Sequence, residues 1–573
     1  MQMRILVSWV LKTILLILST FSIGSSILFF SVDYQSFTRI LLTSLGKLHR
    51  LQEFQQQYIT SSTFSILRAV IFVVSLFNIG LTIGLWHKMP QIVTGLLIKG
   101  SMLSKKITKQ IYSFSLAERR LILILWLIIS AVTVYNAIYL PISYDEAWTY
   151  LNLSSKNIFV SASYYPAPNN HIFFTLLTNL TTWLPIDPTF AVRLPNLLVT
   201  SIAFFLILFI LKDIFYPALA IILSTLFYSF YPGMVYSVQA RGYFLYMLFA
   251  AVIYYLFYKN RYHGKNSYWA CFGVAAALGF YTIPSFLYAF LTVFSIAFLF
   301  FVYKKDFVNG KKLMVTSSIT AIGVILLYTP VFLVSGIGAV ANNSYIQQKT
   351  FIEIIRYMPN HLMQTANWYM GNISAYTYIV MSLLLMSTIL LSMIRKEKRL
   401  LAGSICITFI CPIVFMVLHR TLPFERTWSY TLFFIILCVG VLISLITTSA
   451  NIKKGMYAYS FGILIAGLIL FYTSYKENYA IDYDSKNLAE YLLANNCHRM
   501  YIQNDYQEVL LYYYYTINGQ VYEVDNGFVG KAMDSSKDYD CLLINMAISP
   551  QKILEKYYPA DVSKFITVYV KHK

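Results

Sequence analysis

About thirteen long apolar runs decide what this chain can fold into, lying near 5–31, 65–86, 121–140, 194–211, 214–231, 243–258, 268–283, 285–302, 313–335, 376–394, 400–418, 428–447 and 456–473. Segments of this length and apolarity bury themselves in lipid, where a helix satisfies every backbone group without water. The chain is 58% hydrophobic and 17% aromatic over 573 residues, more apolar surface than a globule of that size has interior to hold. The fold class that follows is an α-helical polytopic membrane protein. The net charge of +20 would suit a nucleic acid, but the basic residues stand in short clusters between apolar runs, where they orient helices. No nucleic-acid partner is expected. The clusters are Lys105, Lys106, Lys109, Arg119 and Arg120; Lys259, Arg261 and Lys265; Lys304, Lys305, Lys311 and Lys312; Arg395, Lys396, Lys398 and Arg399; and Lys453 and Lys454. With thirteen crossings all of them share one face, which predicts a cytoplasmic amino terminus and an extracytoplasmic carboxyl terminus.

That topology leaves outer loops at 141–194 and 335–375 and a polar tail at 475–573. Long connections in a compact protein tend to carry function, and these lie on one side. The tail reads as a small α/β domain, with helices near 485–495 and 506–517 and strands near 500–503 and 542–545. Cys497 and Cys541 each precede one of those strands; if the strands are parallel neighbours, the thiols are close enough to bridge in an oxidising compartment. Three regions result: 1–120, two extra helices with a basic linker; 121–474, the membrane core; and 475–573, the outer domain.

Chemistry gathers where the third run ends, in PISYDEAWTY. Ser143 and Glu146 have the spacing of a capping box, which gives Glu146 a structural task. Asp145 points about 100° away on the same turn and has none. Asp145 is therefore the candidate general base, with Glu146 in support through capping, metal or substrate contact. Farther along, PAPNNHIFF brings Asn170 and His171 to the start of a surface helix, where an asparagine would cap. Arg193, Arg241 and Arg426 stand at outer helix mouths, and guanidinium forks suit a lipid phosphate. Tyr243 adjoins Arg241, in what reads as a tight turn after Tyr231-Pro232-Gly233.

The order of YDEAW, a Pro/His element, RLPNLLVTSIAFFLILFIL and VQARGYFLY resembles the GT-C membrane glycosyltransferases, nearest to the protein mannosyltransferase and aminoarabinose transferase superfamily with its bacterial lipopolysaccharide-sugar transferases. The resemblance runs from about Leu121 to Tyr475. It implies inverting transfer of a sugar from a polyprenyl-phosphate donor to a lipid, glycan or protein acceptor at the outer face of a bacterial cytoplasmic membrane. Asp145 would then be the base, and Arg241 and Arg426 the phosphate contacts. Two departures stand out. Many relatives have a further acid after the segment matching VQARGYFLY, where this chain has Gly242, Tyr243 and Phe244, and the common His-Pro-Pro element is replaced by Pro168-Asn169-Asn170-His171. No cofactor is implied with certainty; a divalent metal, if one takes part, would be held by Asp145 or Glu146. A transporter or flippase, or a non-catalytic binder of a lipid-linked sugar, is the alternative, since many helices with charged residues also describe a substrate path.

Overall fold

A computed structural model of the chain describes residues 2–44, 48, 51–57, 59–91, 93–94, 108–341, 347–372, 377–394, 399–526, 533–534, 536–544 and 556–572. Lys105, Lys106, Arg395, Lys396 and Lys398 lie outside the described residues, as do parts of the loop expected at 335–375. The chain divides into two compact units, one of Met1–Arg119 with Ser163–Pro166 and Tyr328–Asn342, the other of Arg120–Ala162, Ala167–Leu327 and Asn343–Lys573.

In the first unit, helices Gln2–Ser31 and Ser61–Trp86 run antiparallel along a seam of small polar residues. Ser19 pairs with Thr82 and Ser26 with Ser75, each at 2.7 Å, and the Asn78 amide donates to the Ser22 hydroxyl at 2.7 Å. Hydroxyl seams of this kind join helices where lipid removes the hydrophobic drive for association. Arg68 donates to the backbone carbonyls of Phe29 and Val32 and so closes the end of the first helix.

The second unit is organised by long helices, and among the described residues of the whole chain eight are long and apolar enough to cross a membrane. A ninth is counted if Pro217–Ser229 and Tyr231–Val238, bent by 67°, make one broken span. By length and composition the described residues thus give eight or nine of the thirteen expected spans. Helices Tyr243–His263, Asn266–Thr282, Thr377–Ile394 and Thr431–Ile446 occupy the other four runs; Asn266–Thr282 and Thr431–Ile446 are shorter than 18 residues, and Tyr243–His263 is rich in tyrosine. The tight turn expected after Tyr231 is also replaced, by the helix Tyr231–Val238. Phe230 takes extended backbone (φ −69°, ψ 146°) and Pro232 sits in the first turn of the next helix, where its missing N–H breaks no bond. Pro217–Ser229 crosses Ser449–Asn478 at Gly467, where a Cβ would lie 2.8 Å from the Ser229 carbonyl oxygen. Only glycine permits that approach.

The tail, also in the second unit, is a five-stranded mixed sheet with helices Ala480–Ala494 and Asp505–Ile517. Its strands are β1 Arg499–Ile502, β2 Glu523–Asn526, β3 Cys541–Ile544, β4 Tyr557–Ala560 and β5 Thr567–Lys571, in the order β2-β1-β3-β5-β4. β1 is parallel to β2 and β3, and β5 is antiparallel to β3 and β4. Leu488, Leu492, Met500, Ile502, Leu511, Leu543 and Val568 fill the core. A disulfide joins Cys497 to Cys541, Cα atoms 5.7 Å apart, tying the approach to β1 to the start of β3.

Candidate active site

The site starts from one short helix, Tyr144–Thr149, which follows the span Leu116–Tyr139. Its N-terminus has the capping-box arrangement that Ser143 and Glu146 predict, but Glu146 does more than cap. One carboxylate oxygen accepts from the Ser143 amide at 2.9 Å, the Ser143 hydroxyl at 3.0 Å and Arg193 Nη2 at 2.9 Å. The other accepts from Arg193 Nε at 3.0 Å and the Ala240 amide at 2.6 Å. Arg193 spends its remaining hydrogens on the carbonyls of Ala137, Leu140 and Pro141. Burial pushes the Glu146 carboxyl up, but the Arg193 charge and the hydrogen bonds outweigh it and hold the group below the usual carboxylate range.

These contacts correct two expectations. Glu146 is 1% exposed and has no face left for catalysis or a metal, and Arg193, at 0%, has no hydrogen left for a phosphate. Together they form a buried cross-link among two spans, the acidic helix and the turn at 239–241. Asn196 supports the same turn, its amide donating to the Gln239 and Arg241 carbonyls.

Asp145 faces the other way, with its side chain 29% exposed. Its Oδ2 lies 3.5 Å from Arg241 Nη2 and 3.7 Å from Arg426 Nη1. All three line a cavity of about 180 Å³ whose other walls include Tyr144, Tyr236, Tyr243, Tyr479 and Tyr506. Charge-assisted hydrogen bonds run about 2.7–2.9 Å, so both arginines touch the acid loosely. Arg241 is 3% exposed; its Nη1 donates to the Asn169 side-chain oxygen and to the Asn169 carbonyl at 3.3 Å.

His171 stands behind Arg241 rather than in the cavity wall. It occupies the N-cap of helix Ile172–Thr181 without a capping side-chain bond, so no asparagine caps that helix. Its Nδ1 accepts from the Gly242 amide at 2.8 Å, which places the ring proton on Nε2, 3.4 Å from Arg241 Nη2. Burial, then the Arg241 and Arg426 charges, push its pKa well below the ordinary value, and it is neutral. Gly242 is required there: a Cβ would lie 2.6 Å from Thr282 Cγ2 and 3.1 Å from the His171 Cβ. Asn170, fully buried, donates to the Ser161 carbonyl at 3.0 Å and does not line the cavity.

Of the sequence candidates, the structure therefore brings Asp145, Arg241, Tyr243 and Arg426 together and sets Glu146, Arg193, Asn170 and His171 behind them. Sequence reasoning missed the tyrosines at 144, 236, 479 and 506 and the buried Asp482. The tail supplies one wall. Tyr506 stacks on Tyr144 with ring centroids 4.6 Å apart, and its hydroxyl donates to Asp482 at 3.1 and 3.3 Å. Asp482 also accepts the Tyr144 amide at 3.1 Å. The donor set does not fit a divalent cation: Asp145 is the carboxylate of the cavity wall and faces two guanidiniums, and no group of three or more metal-ligating side chains occurs among the described residues.

No family model and no curated protein matches the chain in sequence. In structure it is similar to ArnT from Cupriavidus metallidurans in the apo state, with 8% identity, 78% of this chain and 97% of that chain covered, and a TM-score of 0.51. The same protein bound to undecaprenyl phosphate gives 9% identity, the same coverage and a TM-score of 0.46. Arabinosyltransferase EmbB from Mycobacterium smegmatis gives 10% identity, 78% of this chain, 44% of that chain and a TM-score of 0.40. The likeness to apo ArnT establishes the fold as that of a GT-C membrane protein.

Proposed function

We propose that the protein is an inverting glycosyltransferase that moves a sugar from a polyprenyl-phosphate donor to an acceptor hydroxyl or similar nucleophile at the outer face of a bacterial cytoplasmic membrane. The observation that carries the reading is Asp145 set between Arg241 and Arg426 in a tyrosine-walled cavity of a membrane protein. The Asp145 carboxylate lies between the two guanidiniums, in a position suited to an anion. A donor phosphate takes that position, and the carboxylate then faces the acceptor. The acceptor proton passes to Asp145, the acceptor oxygen bonds to the anomeric carbon, and the bond from that carbon to the phosphate oxygen breaks. The electron pair leaves on the polyprenyl phosphate, whose charge Arg241 and Arg426 stabilise. One displacement inverts the anomeric centre, and one base is sufficient for it.

The orientation of two helices supports an outward site. Pro188–Lys212 carries Arg193 near its start and Lys212 in its last turn, and Tyr243–His263 starts beside Arg241 and ends with Lys259 and Arg261. Basic residues mark the cytoplasmic ends of spans, which favours an extracytoplasmic position for the cavity, roughly 30 Å away along the same helices. A carrier lipid suits that location, because nucleotide-activated sugars stay in the cytoplasm.

Thermal protection tests the proposal. In detergent, a polyprenyl-phosphate sugar should raise the unfolding temperature and free polyprenol should not, and the phosphate effect should be lost in Arg241→Ala. Equal protection by polyprenol, or none by any phosphorylated lipid, overturns it.

A further inference from the structure

The tail holds two groups that the proposed chemistry leaves unused, Asp482 and Tyr506. A carboxylate only 1% exposed is costly to fold, and Asp482 spends its bonds on two groups that adjoin the reacting acid: the amide of Tyr144, one residue before Asp145, and the hydroxyl of Tyr506. Tyr506 comes from the first turn of Asp505–Ile517, a helix whose start is fixed by Asn504 accepting from the Tyr506 and Gln507 amides at 3.1 and 3.2 Å. The same helix packs Leu510 and Tyr513 against Ile142, Ala147 and Leu151, and Tyr513 is hydrogen bonded to Thr189 at 2.9 Å.

Asp145 is thus flanked by two clamps of different origin. On its carboxyl side, Glu146 is locked to Arg193 of a membrane span. On its amino side, Tyr144 is held by a ring stack on Tyr506 and by the hydrogen bond its backbone amide donates to Asp482, both residues of the tail. Among the described residues the Asp145 carboxylate pairs with Arg241 and Arg426, both loosely, so its aim is set by how the backbone on either side is held. We propose that the α/β tail is a working part of the transfer site, with Asp482 and Tyr506 as positioning residues that hold the Tyr144–Thr149 helix so that Asp145 meets the acceptor. The tail is then a catalytic accessory built into the chain, and donor affinity, which the arginines supply, does not depend on the clamp.

This inference rests on the transferase reading, and the experiment separates the two. Transfer is measured in full-length protein with a polyprenyl-phosphate sugar as donor, beside Asp145→Asn as control. Tyr506→Phe, which keeps the stacked ring, and Asp482→Ala should each lower kcat about tenfold with the donor KM within about twofold, the cost expected for a base displaced by a fraction of an ångström. Asp482→Asn, which keeps an acceptor oxygen, should return to within about threefold of wild type. The two losses should not multiply in Tyr506→Phe with Asp482→Ala, because both break one unit. Full kcat in Tyr506→Phe and Asp482→Ala, a loss confined to KM, or fully multiplicative losses overturn the positioning role while Asp145→Asn stays inactive. Wild-type transfer in Asp145→Asn instead removes the transferase reading itself. Should Asp482→Ala fail to fold, Tyr506→Phe decides alone.

Discussion

Arg193 grips both carboxylate oxygens of Glu146, at 3.0 and 2.9 Å, with neither side chain exposed to solvent. The pair explains why two adjacent acids end with different roles: Glu146 is consumed by the framework, and Asp145 is left at the cavity. Taking one partner away strands the other charge in a site closed to water, which typically costs about 3–5 kcal/mol. Glu146→Ala and Arg193→Met should each lower stability by about that much in thermal or denaturant unfolding in detergent, with the double variant losing less than the sum of the two. Additive losses would show that the two residues act separately.

The two cavity arginines differ in exposure, 3% for the Arg241 side chain and 37% for that of Arg426, and the more buried one should contribute more. Arg241→Ala should weaken donor binding about 30-fold or more, and Arg426→Ala about 3- to 10-fold. Rising salt should reduce the Arg426 contribution more, since an exposed charge is screened more than a buried one. Arg241→Lys should not restore binding, because an ammonium cannot hold Asn169 and a phosphate with one planar fork. Donor affinity at low and high salt measures all of this.

A pH signature belongs to Asp482. Burial pushes its carboxyl up to about 7, against the hydrogen bonds from Tyr506 and the Tyr144 amide that lower it, while Glu146 nearby adds to the rise. Tyr475 and Tyr514 also feel its charge. Because the folded state keeps this proton to a higher pH than the unfolded chain does, the native state binds more protons between about pH 4 and 7, and stability falls as pH rises through that window. The unfolding temperature of wild type relative to Asp482→Asn should therefore decline from about pH 5 to about pH 7 and level off above it. A difference that grows with pH would contradict the assignment.

Much of this was legible in the residues, and the limits have physical causes. Each of the thirteen apolar runs holds helix, but apolarity does not tell a crossing from a short buried helix: Thr431–Ile446 is apolar throughout and only 16 residues long. The Ser143-to-Glu146 spacing announced a cap because capping is local. The Glu146–Arg193 bond spans 47 positions, and no local pattern reports it, so Arg193 read as a phosphate ligand. Tyr506 and Asp482 were invisible for the same reason, lying more than 300 residues from Tyr144. In the tail, β2 (EVDN) has little apolar character and β4 contains Pro559, so neither carries a strand pattern, whereas the buried CLLI of β3 does.

The most direct measurement is single-turnover transfer from a polyprenyl-phosphate sugar by Asp145→Asn, with donor affinity determined on the same preparation. Affinity should stay within about threefold of wild type and transfer should fall by about 10²- to 10⁴-fold, the usual contribution of a general base. Transfer at the wild-type rate by a variant that binds donor normally would contradict the role of Asp145 as that base.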